Sequence, residues 1–150
     1  MKRTYLRLGA LVATLAAGSF AAVAHEGATG VVKERMDLME AIGKDFKDIG
    51  QRLQANRNLP SIAERAKRIE ERSARIAALF PTGSLDRPSD ALPIIWERWS
   101  DFEDRARGLR DASAGLAEAA PSGDPKLVSD RFKALTRSCN ACHDTFRKKR

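Results

Sequence analysis

The residues most able to do chemistry lie near the C-terminus, in the run Cys139-Asn140-Ala141-Cys142-His143. Two cysteines three apart, followed at once by histidine, form the attachment signature of a c-type haem. On a helix, Cys139 and Cys142 fall about one turn apart on one face, so both thiols can reach the two vinyl groups of one porphyrin. His143 lies one turn beyond Cys139, where its imidazole can ligate the iron. Thioether bonds would then fix a single haem c covalently, and the protein would tune the iron through burial and axial ligands.

Competing uses of these residues are weaker. A thioredoxin-like dithiol belongs to a βαβ context, which this region lacks. A structural zinc site takes four ligands. Beyond the first 24 residues the soft ligands are Cys139, Cys142, His143 and the distant His25. Two cysteines one helical turn apart also reach disulfide geometry poorly.

The motif needs a helix, and the helix needs partners. Four stretches carry apolar residues in alternating steps of three and four, the mark of amphipathic helices. The first runs Val32, Arg35, Met39, Ile42, Phe46, Ile49, Leu53, and the second Ile62, Ala66, Ile69, Ser73, Ile76, Phe80. The third runs Ile95, Trp99, Phe102, Ala106, Leu109, Ser113, Leu116, Ala120, and the fourth Val128, Phe132, Leu135, Cys139, Cys142, Phe146. Ser61 with Glu64 reads as a capping box behind Pro60. Asp124 before Pro125 reads as an N-cap with proline at the first helical position. Short links at 56–60 and 121–124 favour antiparallel neighbours, and Pro81–Pro93 is the one long loop. The expected fold is all-α, an antiparallel up-and-down four-helix bundle with covalently bound haem, and a bundle core is a usual cofactor site.

The 150 residues suit a single domain, and 43% hydrophobic with 31% charged residues suits a folded, helix-rich chain. Two cysteines cannot make a disulfide framework, so a packed core or a bound group must stabilise the fold. Residues 1–24 read as a cleaved secretory signal peptide. Lys2, Arg3 and Arg7 precede an apolar run from Leu8 to Val23, which ends in the small-residue pattern Ala22-Val23-Ala24. The run is broken by Gly18 and Ser19 and is too short for a stable membrane anchor. The expected domain is then 25–150, located in the periplasm. Without the leader, 24 basic residues face 20 acidic ones. That mild surplus, with no basic patch interleaved with aromatics, gives nucleic-acid binding little support.

Two residues of the first stripe invite a cofactor reading. Arg35 falls where an apolar residue is expected. A buried guanidinium needs an anion, which a haem propionate would supply, unless the side chain snorkels to water from near the helix end. Met39, one turn on, can pack in the core or place its thioether on iron as a sixth ligand.

With these residues in view, the chain resembles the class II c-type cytochromes, the family of cytochrome c′ and its low-spin relatives. The resemblance spans nearly all of 25–150. It rests on the C-terminal position of Cys139-Asn140-Ala141-Cys142-His143 with Phe146-Arg147 after it, and on Val32-Lys33-x-Arg35 followed by Met39 and Gly43. Leu79-Phe80-Pro81 and Pro93-x-Ile95-Trp96 add to it. The resemblance implies a propionate contact at Arg35 and a residue over the distal side of the iron at Met39. It also implies weaker haem-edge contacts at Pro93 and Ile94, with Met36 a substitute for Met39. Where that distal residue is a bonded methionine, the family gives low-spin electron carriers. Otherwise the iron is five-coordinate, high-spin and open to nitric oxide or carbon monoxide. The Met36-Asp37-Leu38-Met39 stretch is more similar to the first group.

The sequence therefore favours a periplasmic carrier of single electrons, serving redox partners of unspecified identity, as a monomer or homodimer. A gas-binding haem protein is the alternative. A peroxidase-like enzyme is disfavoured, because His25 is the one histidine beside His143 that could serve a distal acid–base pair.

Overall fold

The computed structural model describes residues 27–149. Its helices are α1 (Gly30–Gln54), α2 (Ile62–Ser73), the single turn α3 (Ile94–Glu97), α4 (Trp99–Ala119) and α5 (Pro125–Phe146). The four long helices follow one another up and down, with α2 packed on α1 and α4, and α5 packed on α4. Among the described residues the only β feature is an isolated antiparallel bridge between Ala91 and Arg147. The expected signal peptide lies outside the described residues, as do positions 25, 26 and 150 of the expected domain.

The four stripes meet as the core. Ile49, Ile62, Ile69, Leu116, Val128 and Leu135 have no solvent exposure. Polar residues on the stripes are satisfied within their own helix: Ser73 Oγ donates to Ile69 O at 2.6 Å, and Ser113 Oγ to Leu109 O at 2.7 Å. Such i−4 bonds let a serine occupy a buried position without an orphaned hydroxyl. Between α1 and α5 the close approach is at Gly50. A Cβ there would stand 3.5 Å from the Phe132 ring, which stacks at 4.8 Å from Phe46.

Two local expectations change. The capping box does not form. Ser61 Oγ instead donates to Asn58 O (2.7 Å) and accepts from Arg52 Nη1 (3.0 Å), as part of a 3-10 turn over Leu59–Ser61. Asn58 opens that turn at φ 49°, a left-handed conformation that asparagine tolerates better than most residues. The third stripe is not one helix, since the chain breaks at Arg98 (φ −121°, ψ 46°). The turn before the break is anchored: Ile95 is buried, and Trp96 Nε1 donates to Phe80 O at 3.0 Å. Arg65 of α2 is partly buried and pairs with Asp48 of α1.

Asp45 forms a second clamp between α1 and α2. Its nearly buried carboxylate accepts hydrogen bonds from Arg68 and Arg72. Burial alone would raise the Asp45 pKa, but the two guanidinium partners outweigh it and hold the carboxyl below its ordinary value.

Candidate functional site

Helix α5 carries the attachment residues and is firmly started. The Asp124 carboxylate caps it, accepting from Lys126 N (2.9 Å) and Leu127 N (3.3 Å), with Pro125 at the first helical position. Leu135 and Phe146 are buried on the stripe that carries the cysteines, so the helix's orientation is fixed on both sides of them. That orientation turns Cys139, Cys142 and His143 onto a cavity of about 600 Å³ between α1 and α5. This lies within the usual range for small-molecule and cofactor sites.

The walls come from α1, α4, α5 and the segment that follows α2. α1 contributes Arg35, Met36, Met39 and Phe46; Ile76 and Phe80 lie just beyond the end of α2; Phe102, Arg105 and Leu109 come from α4. The segment 88–91 forms the rim. It is tied down by Leu92 N donating to Phe146 O (3.0 Å) and Lys148 N donating to Asp90 O (2.8 Å). Phe102 makes edge contacts with Phe80 and Phe146, at centroid separations of 4.8 and 5.3 Å, giving the cavity an aromatic floor. Beside Gly43 a Cβ would meet no atom within 4 Å, so this stretch of α1 leaves the cavity open.

The electrostatics suit a covalently held porphyrin. Burial pushes both thiols up, Cys142 to about 11, so they stand as neutral thiols rather than as a reactive thiolate pair. Burial, and secondarily Arg147, lowers the His143 pKa, leaving at neutral pH the unprotonated imidazole that a metal requires. Among the described residues no three His, Cys, Asp or Glu side chains gather as a metal-binding cluster.

Arg35 is buried, at 4% exposure, and does not snorkel to solvent. Its five N–H donors all reach neutral oxygens. Nε and Nη2 donate to Leu79 O (3.1 and 2.9 Å), Nη1 to Ser84 O (3.0 Å) and Ser89 Oγ (3.2 Å), and Nη2 also to Ser84 Oγ (2.6 Å). The guanidinium lies 3.8 Å from the Phe80 ring centroid. Burial without a carboxylate partner among the described residues lowers its pKa.

The structure brings Arg35, Met36, Met39, Cys139, Cys142 and His143 to one cavity. Pro93 and Ile94 are not on its wall; Ile94 packs against the core, and Ile95 is the residue of that turn that lines the cavity. Phe80, Ser89 and Arg105 also line it, without having been singled out as site residues in the sequence. For Ser89 nothing local signals the role, because its partner Arg35 lies 54 residues away.

The donor set fits haem: two thiols one turn apart, a neutral imidazole beside them, apolar and aromatic walls, and a buried cation for a propionate. Cys139 and Cys142 would hold the vinyl carbons and His143 the iron, and the bound group supplies one-electron or diatomic-ligand chemistry.

Comparison with known proteins agrees. The family model described as cytochrome c′ matches residues 30–147. Cytochrome c′ of Rhodospirillum rubrum is 30% identical over 140 residues, covering 91% of this chain and 95% of its own. Among solved structures, cytochrome c prime from Shewanella frigidimarina aligns with a TM-score of 0.73 at 27% identity, over 79% of this chain and 94% of that one. A nitric oxide complex of a variant cytochrome c prime from Alcaligenes xylosoxidans aligns at 0.71 and 26%, over the same shares. The chain thus belongs to the cytochrome c′ family, the class II c-type cytochromes, whose four-helix bundles carry one covalently attached haem c.

Proposed function

We propose that this protein is an exported haem protein whose iron, held by His143, binds nitric oxide or carbon monoxide on the face toward α1. The similarity to a structure with nitric oxide bound carries this reading and moves it ahead of the electron carriage favoured by sequence alone. The apolar contribution of Met36, Met39 and Phe46 to the α1 wall suits a small uncharged ligand. Among the described residues His143 is the only histidine.

One observation favours electron transfer as the second reading: Met39 stands on the wall of the same cavity as His143. A thioether bonded to iron would close the open face and raise the reduction potential. Absorption spectra of the ferrous protein with and without carbon monoxide decide between the two. A high-spin spectrum and ready uptake support gas binding, with Met39 as a lid. A low-spin spectrum that carbon monoxide barely alters, converted to a high-spin, binding form by Met39→Ala, supports the carrier.

Arg35 serves either reading as the positive charge beside a propionate. Its buried cation has no carboxylate partner among the described residues, and uncompensated burial of a charge is costly. The basic, apolar leader at 1–24 supports a periplasmic location, where haem attachment takes place. Among the described residues no helix is long and apolar enough to cross a membrane.

A further inference from the structure

On the loop that holds Arg35, the hydroxyl of Ser89 keeps its hydrogen unspent. Ser89 Oγ accepts from Arg35 Nη1 and from the backbone N–H of Ala91, each at 3.2 Å. A hydroxyl has two acceptor lone pairs and one hydrogen. Both lone pairs are engaged, and the hydrogen has no acceptor among the described residues. Ser84, the other serine of this loop that meets Arg35, differs in one respect: its hydroxyl accepts from Arg35 Nη2 and donates to Pro81 O at 2.8 Å, so its hydrogen is spent.

Arg35 itself has no donor left to give, since its five N–H groups are divided among Leu79 O, Ser84 O, Ser84 Oγ and Ser89 Oγ. It supplies charge at the cavity wall but no free hydrogen. Ser89 stands on that wall beside it. An anion drawn there by the guanidinium meets Ser89 as the neighbouring hydrogen-bond donor.

We propose that Ser89 is a cofactor-binding residue that donates its hydroxyl hydrogen to a haem carboxylate, while Arg35 provides the compensating charge. The assignment rests on the haem reading of the cavity and adds to it the residue that makes the direct bond. Hydrogen bonding to the carboxylate reduces the negative charge felt at the iron, so losing the bond lowers the reduction potential.

The test uses the holoprotein with Ser89→Ala, Ser89→Thr, Ser89→Cys and Ser84→Ala. Haem staining after denaturing electrophoresis comes first. An unstained wild-type chain overturns the haem reading and this assignment with it. With haem present, Ser89→Ala should shift the propionate-bending band in the resonance Raman spectrum and lower the potential. Ser89→Thr should restore both, and Ser89→Cys, a weaker donor, should move both by less. Ser84→Ala should leave the propionate band in place. If Ser89→Ala keeps the wild-type band and potential in a stained protein, or if Ser84→Ala shifts the band equally, the assignment fails while the haem reading stands.

Discussion

At one end of the bundle Ile49, Ile62, Leu116 and Val128 meet with no solvent exposure. At the other, Met39, Cys139 and Cys142 continue the same helical stripes and stay only partly buried around a cavity of about 600 Å³. Periodicity does not separate the two ends, because α1, α4 and α5 run through both. Side-chain shape does: interlocking aliphatic residues fill the closed end, while the open end places thiols, a thioether and an imidazole around a space they do not fill. A core packed to normal density is stable by itself. A cavity lined by apolar atoms forfeits their contacts until something occupies it. The closed end should therefore hold its structure independently, and the open end should depend on haem.

The strongest break in this comparison is to remove the attachment. In Cys139→Ala/Cys142→Ala the haem stain should disappear from the polypeptide. Hydrogen exchange should then accelerate along 35–46 and 136–146, while 59–66 and 116–128 keep their protection. Uniform loss of protection would show that the two ends are not separable.

The converse substitution lies at the closed end. Ile62→Ala removes a fully buried side chain and should cost about 2–5 kcal/mol in denaturant unfolding. The haem absorption spectrum should be unchanged.

A smaller effect is expected where the ends of the long loop meet the cavity. Arg35→Leu strands Leu79 O, a buried acceptor of two of its bonds, at a cost on the order of 1–3 kcal/mol. Unlike Ile62→Ala, it should also change the reduction potential and the acid-range titration of the haem. The exposed Arg110, paired with Asp111, should do neither when replaced.

The smallest effect concerns the α1–α2 clamp and sharpens the comparison through pH. Asp45 has a lowered pKa in the fold, so its contribution is fully present above the unfolded value, near 4, and is lost as pH falls through the folded one. Asp45→Asn should reduce stability at neutral pH by on the order of 1 kcal/mol and flatten the acid limb of the stability curve. The difference from wild type should shrink toward acid, as measured by urea unfolding across pH.

The helices and the attachment site were legible because their signals are local. Stripes of three and four, Asp124-Pro125, and Cys139 to His143 each depend on residues within a turn or two of one another. The failures came where groups outside the expected motif competed with it. The Ser61 hydroxyl is engaged by Arg52 and the Asn58 carbonyl instead of by the first turn of α2. The third stripe broke at Arg98, in a stretch where Trp96 is bonded to Phe80 O.

Arg35 shows both kinds of information in one side chain. That a cation on an apolar stripe needs oxygen partners follows from its type and position alone, since charge cannot be buried unsatisfied. Which oxygens it finds is set by a loop 44 to 54 residues away. The fold itself brings that loop over the N-terminal half of α1, with backbone bonds holding its far end to the C-terminal tail. Helical phase depends on a residue's near neighbours. The partner of a long side chain depends on where the rest of the chain comes to lie.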